Sequence, residues 1–147
     1  MKNEGNRMTE TSSSLKLTHK GALAALNAAI DKAGNMDQPQ CISIVDAGGN
    51  LLAFVRMDGA FYMSMETSIR KARTAACYGD PTGGLPEGID LKLAAGTDGQ
   101  RINLPGGLPI IINGHCIGGV GVGSGTGEQD RQVATAAIQA IPDSESF

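Results

Sequence analysis

Between residues 18 and 33, apolar side chains recur at helical spacing. Ala22, Leu23, Leu26, Ala29, Ile30 and Ala33 form one stripe, and Gly34-Asn35 supplies a stop. Two shorter apolar runs, 40–45 and 51–57, predict strands joined as a hairpin through Asp46-Ala47-Gly48-Gly49-Asn50. Helical spacing returns over 62–78, with Met65, Ile69, Ala72 and Ala76 on the stripe expected to be buried. Glu66 precedes Arg70 by one turn, the order that favours an ion pair. Residues 79–99, with Pro81, Gly83-Gly84 and Pro86, show no period, and irregular stretches of that length are often functional or mobile. Residues 100–104 read as a short strand. Two further strands, 109–112 and 115–122, flank Asn113-Gly114, a strong hairpin signal. A last helix over 127–141 ends before Pro142. Hairpins imply an antiparallel sheet, so the pattern predicts an α+β domain with helices covering the sheet.

One stretch departs from ordinary strand composition. Six of the ten residues from Gly118 to Gly127 are glycine. Glycine in a strand adds no packing surface, so something must approach the backbone closely there. The run fits neither G-x-G-x-x-G nor a Gly-Lys-Ser/Thr phosphate loop. Thr126 and Gln129 have capping-box spacing, and Glu128 and Asp130 fall in the first helical turn, where they complement the dipole and oppose an anion. Gly119, Gly121 and Gly123 share one face of the strand, bare over about 13 Å, while Val120 and Val122 share the other. A packed helix, a second subunit or a flat ligand could each cover the bare face.

The chain has 147 residues, 41% of them apolar and 18% charged, with a net charge of −3. That describes one globular domain over 15–142, with a disordered arm at 1–14 and a loose tail at 143–147. No basic run points to nucleic acid, and no apolar run approaches a membrane span. The polar N-terminus lacks the apolar core of a signal peptide. Three cysteines, Cys41, Cys77 and Cys116, form no metal-binding spacing and read as free thiols of a cytoplasmic protein.

Candidate chemistry is sparse. His19 and His115 are the only histidines, each available as a metal ligand or general base. Arg56 and Lys71 could converge on a carboxylate if the second helix crosses the sheet. Ion pairing with Asp46, Asp58 or Glu66 is the ordinary alternative. No nucleophile triad or paired-carboxylate motif is present.

Three segments carry a family likeness. They are Ser43-Ile44-Val45-Asp46-Ala47-Gly48-Gly49-Asn50 running on to Arg56-Met57-Asp58-Gly59-Ala60, then Ser68-Ile69-Arg70-Lys71-Ala72-Arg73, and Gly106-Gly107-Leu108-Pro109-Ile110 through to Gly125-Thr126-Gly127-Glu128-Gln129-Asp130. In this order they resemble the GlcG/HbpS family, whose domain also occurs fused to PduO-type corrinoid adenosyltransferases. One departure is Gly123-Ser124-Gly125-Thr126, where the family usually runs Val-Ser-Gly-Gly-Thr.

The resemblance implies a profilin-like fold, a five-stranded antiparallel sheet in a three-layer α/β/α arrangement. It also implies a homo-oligomer, in some members an octamer, and heme or another tetrapyrrole as ligand. On that basis the chain reads as a small-molecule binding protein. His19 would be the axial ligand of heme iron, Arg56 and Lys71 would pair with propionates or another carboxylate, and Gly119, Gly121, Gly123 and Thr126 would line the site. A second reading is an enzyme on a small organic acid or carbonyl compound, with Lys71 and Arg56 holding the carboxylate and Asp46, Asp58 or His115 acting as acid or base. A third is an accessory subunit whose glycine face serves assembly. With three Phe, two Tyr and no Trp, few rings are available to stack on a porphyrin.

Overall fold

In a computed structural model, residues 9–147 are described. Of the predicted arm, 1–8 lie outside the described residues, while 9–14 are exposed and carry neither helix nor strand. The elements run α1 (His19–Asn35), β1 (Cys41–Asp46), β2 (Leu51–Arg56), α2 (Met63–Tyr78), α3 (Ile89–Gly96), β3 (Gly107–Ile112), β4 (His115–Gly123) and α4 (Gly127–Gln139).

The sheet is antiparallel, in the order β2-β1-β4-β3. It has four strands, not the five expected. Residues 100–104 do not pair as a strand because their polar groups are engaged elsewhere. The Ile102 amide donates to Thr74 Oγ1 on α2, and the Asn103 side chain bonds the Leu85 backbone in both directions. The edge of β3 away from β4 is met at two points: Thr82 bonds the Gly107 backbone in both directions, and in the tail Ser144 bridges Ile112 while the Glu145 amide donates to the Ile111 carbonyl at 2.8 Å. The tail is therefore tied to the sheet edge rather than loose.

Both hairpins form as expected. Asn113 and Gly114 take φ of 50° and 77°, the left-handed values that a two-residue turn needs. The capping box forms too, with Gln129 N donating to Thr126 Oγ1 and Thr126 N to Gln129 Oε1.

Helices cover both faces. On one side α1 and α4 pack on the sheet and on each other. Ile42, Ile44, Leu108, Ile110, Val120 and Val122 there meet Ala22, Leu26, Ala29, Val133 and Ala137 in the main core. Leu23, expected in that core, is 47% exposed. On the other side α2 lies across β4, β1 and β3, and the apolar cluster beneath it holds only Val45, Ala72 and Ala76.

The face that α2 buries is only partly the one its periodicity predicts: Ala72 and Ala76 go in as expected, whereas Ile69 is half-buried. Ser64, Ser68, Ala72 and Ala75 go in, while Met65 is 40% exposed. The glycine strand decides this, because only small side chains let a helix backbone come down onto it. A Cβ at Gly121 would fall on the Ser68 carbonyl oxygen and lie 2.5 Å from Ala72 N, and one at Gly119 would fall on the Ala72 carbonyl oxygen. Ser43 Oγ meets Ser68 Oγ at 2.8 Å in the same contact.

Helix α3 falls inside the segment that showed no period. None of its residues is buried, so no apolar stripe marks it in the sequence.

Candidate functional site

Covering of the glycine face by α2 removes Gly119, Gly121 and Gly123 from the set of ligand contacts. Helix backbone occupies the surface at Gly119 and Gly121, and the Ser64 and Thr67 side chains stand against Gly123, so no planar molecule can reach it. The Thr126 hydroxyl, proposed with them, is engaged as the α4 cap.

Lys71 lies on the docked face of α2, 4% exposed. Its Nζ donates to Asp130 Oδ2 at 2.8 Å and to the Val122 carbonyl at 2.7 Å. Asp130 Oδ1 in turn accepts from the Gly125 amide at 2.9 Å. Gly106 and Gly125 admit this pair closely: a Cβ would come within 3.2 Å of Lys71 Nζ at the first and 2.9 Å of Asp130 Oδ1 at the second. Beside Gly125 the Gln40 amide is fully buried, with no partner for either polar atom among the described residues. Lys71 is thus an internal tie between α2, β4 and α4, not a free cation awaiting a carboxylate. Its place one position before Ala72, on the buried side, was the available signal. Its partner, 59 residues away, left none.

Arg56 ends β2 opposite Cys41, and its guanidinium carbon stands 4.5 Å from the centroid of the Tyr62 ring. It makes no ion pair with Asp58 or any other carboxylate among the described residues. With Gly59, Ala60, Phe61 and Tyr62 it lines a depression of about 260 Å³. The Phe61 amide donates to Ser124 Oγ there, and the buried Cys41 thiol donates to the Phe61 carbonyl at 3.6 Å. Burial raises the Cys41 thiol above its ordinary pKa, against smaller lowering effects from Ser124 and Arg56.

Asp46 lies at the other end of β1, opposite Gly118. Five residue steps, about 17 Å of strand, separate it from the row that holds Arg56. Its Oδ1 accepts from the Gly48 and Asn50 amides, both at 2.9 Å, and from Asn50 Nδ2 at 3.2 Å. Desolvation is the largest single influence and pushes its carboxyl up. The bonds from Asn50 and Gly48, with the charge of Lys16, outweigh it and leave the pKa below the usual value. Asp46 is therefore the acceptor that shapes a hairpin, and a weak base.

His115 is exposed at the start of β4, and Asp58 is exposed just beyond β2. Asp46 and His115 consequently lie at one end of the sheet and Asp58 at the other, so the acid–base candidates do not converge. His19 is the first residue of α1, exposed, with Thr18 as its N-cap. Leu17 packs toward Gly118, and Lys16 is near enough to influence Asp46, so His19 belongs to the Asp46 end of the sheet. Leu15 is 50% exposed, and Leu23, one helical turn beyond His19, is also largely open.

A larger cleft of about 320 Å³ lies elsewhere, between the C-terminal end of α2 and the segment that follows it. Thr74, Tyr78, Asp80, Pro81, Leu85 and Ile102 are among its walls. The sequence pointed to its loop only by the absence of period.

The profile of the haem-degrading protein HbpS-like family matches residues 17–139. A 15.0 kDa protein encoded between dhaT and dhaS in Citrobacter freundii is 44% identical over 112 residues, covering 73% of this chain and 79% of that protein. The crystal structure of Klebsiella pneumoniae protein ORFY superposes with a TM-score of 0.85 at 32% identity, covering 91% of this chain and 96% of that one. A heme complex of the PduO C-terminal domain superposes with a TM-score of 0.83 at 29% identity, covering 90% and 99%. The chain belongs to the HbpS-like family.

Proposed function

From this family membership and the geometry above, we propose that the protein binds heme or a related tetrapyrrole at the Asp46 end of the sheet, beside the start of α1, with His19 as the axial ligand. The observation that carries the reading is the likeness to a PduO domain whose crystal structure is a heme complex, joined to an exposed imidazole on the first turn of α1. The residues around His19 fit such a group. Leu15 and Leu23 offer apolar surface on either side of it, and Lys16 and Lys20 supply cations for propionates. Among the described residues no three His, Cys, Asp or Glu side chains are grouped to hold a bare ion. A macrocycle that brings four of its own iron ligands needs only one imidazole.

Heme would supply the redox and oxygen chemistry of its iron, while this chain's residues bind and orient the ring. One helix face covers only one side of a porphyrin, so the second side is assigned to another copy of the chain in a homo-oligomer. Three free thiols suit a reducing cytoplasm, and no helix among the described residues is long and apolar enough to cross a membrane.

Hemin titration of the purified protein tests the reading. A saturable Soret shift is expected, weakened more than about tenfold in His19→Ala. Absence of saturation, or a shift unchanged in that variant, overturns it.

A further inference from the structure

The proposed heme site leaves the cleft beyond α2 without a role, and the walls of that cleft have a definite chemical character. Its volume of about 320 Å³ falls at the lower end of the range for small-molecule sites. Pro81, Leu85 and Ile102 give it apolar surface. Of its polar side chains, three are already committed to the protein. Thr74 Oγ1 donates to the Arg70 carbonyl and accepts from Ile102 N, Thr82 Oγ1 bonds the Leu104 carbonyl and the Gly107 amide, and the Asn103 amide clasps Leu85. The Asp80 carboxylate and Tyr78 hydroxyl remain, both on exposed residues and neither ion-paired among the described residues.

The sign of the field follows from these groups. No Lys, Arg or His is among the lining residues. Arg101, next to Ile102, directs its guanidinium to the Gln100 carbonyl, and Arg70 and Arg73 are held by the Gly99 and Gly49 carbonyls. Tyr78 and Gly79 end α2, so the negative pole of that helix faces the same region as the Asp80 carboxylate. An organic anion would meet negative charge with no compensating cation. A primary ammonium on a short apolar body would meet a carboxylate, a phenol and a hydrophobic wall.

We propose that this cleft is a binding site for a small organic ammonium ion, separate in position and opposite in charge preference from the proposed heme site. Asp80 takes the ammonium, Tyr78 accepts a second N–H, and the apolar part lies on Pro81, Leu85 and Ile102. Residues 79–85 thereby gain a function: they shape a cation-selective cleft.

Two-dimensional amide NMR of the labelled full chain, titrated with benzylammonium, benzyl alcohol and benzoate, tests the assignment. Benzylammonium should give saturable shifts centred on 79–85 and 102–103. Asp80→Asn should weaken it about tenfold, the effect of one charge-assisted hydrogen bond. Benzyl alcohol should bind about tenfold more weakly than benzylammonium and be indifferent to Asp80→Asn. Benzoate should not saturate. Equal or tighter binding of benzoate, ammonium binding unaffected by Asp80→Asn, shifts centred elsewhere, or no saturation with benzylammonium would each overturn the proposal. Because none of these residues belongs to the proposed heme site, the outcome is independent of the hemin titration.

Discussion

Adding one methyl group at Gly121 should unseat a whole helix. The Gly121→Ala Cβ would fall on the Ser68 carbonyl oxygen and 2.5 Å from Ala72 N, where an unstrained contact begins near 3.4 Å. Both obstacles are helix backbone, so no rotamer change can relieve them. Helix α2 must retreat by about 1 Å or more, a magnitude associated with overpacked cores that cost about 1–3 kcal/mol. The retreat also stretches the 2.8 Å Lys71–Asp130 contact and the 2.8 Å Ser43–Ser68 bond. Weakening a buried charge pair adds further, to about 3–5 kcal/mol in all. At about 2–4 °C per kcal/mol for a domain of this size, the melting temperature should fall by about 10 °C.

Urea and thermal unfolding followed by circular dichroism measure this directly, with Gly34→Ala as the opposing control. Gly34 is an exposed helical position of α1 where an added Cβ meets nothing within 4 Å. There the same substitution should leave stability unchanged or raise it by up to about 1 kcal/mol. If Gly121→Ala unfolds within about 0.5 kcal/mol of the parent, the close approach of α2 to β4 is refuted.

Other substitutions probe the internal ties. Lys71→Met leaves Asp130 buried without its cation and should cost about 3–5 kcal/mol at neutral pH; a double-mutant cycle with Asp130→Asn should show strong coupling, and additive losses would contradict the pairing. Asp46 has a folded pKa below its unfolded one, so its contribution is present above the ordinary carboxylate range and lost as pH falls through the folded value. The stability gap between parent and Asp46→Ala should therefore shrink below about pH 4, and a gap that widens there would be inconsistent with the turn geometry. Among the thiols, exposed Cys77 should react first with a thiol-specific reagent in the native state. Cys116 should follow, and Cys41, whose burial raises its pKa, should react mainly after unfolding; early labelling of Cys41 would show the α2 contact to be open.

Much of the architecture was legible locally. The Asn113-Gly114 hairpin, the Thr126–Gln129 capping box and the periods of α1, α2 and α4 are short-range signals, each carried by a few neighbouring residues. Helix α3 was not legible, because a helix with no buried residue has no reason to show an apolar stripe. The extra strand expected at 100–104 failed for a related reason: its groups are claimed by Thr74 and Leu85, which lie far away in the chain.

The candidate site was legible in residue type more than in placement. His19 is exposed, as a ligand must be, whereas Lys71 is buried against Asp130, and Arg56 lies at the end of the sheet away from Asp46. Charge and hydrogen-bonding capacity are properties of a residue. Convergence is a property of the fold.

The sequence by itself determined the two hairpins, the helices α1, α2 and α4, the α4 cap, the family signature and the existence of a bare face at Gly119, Gly121 and Gly123. Only the tertiary structure decided what covers that face. The answer is α2, docked through Ser64, Ser68, Ala72 and Ala75 instead of its bulkier Met65 edge. The physical reason is reciprocal close packing: a strand without side chains and a helix edge of small ones select each other across the chain, and no local pattern records which distant surface is the complement.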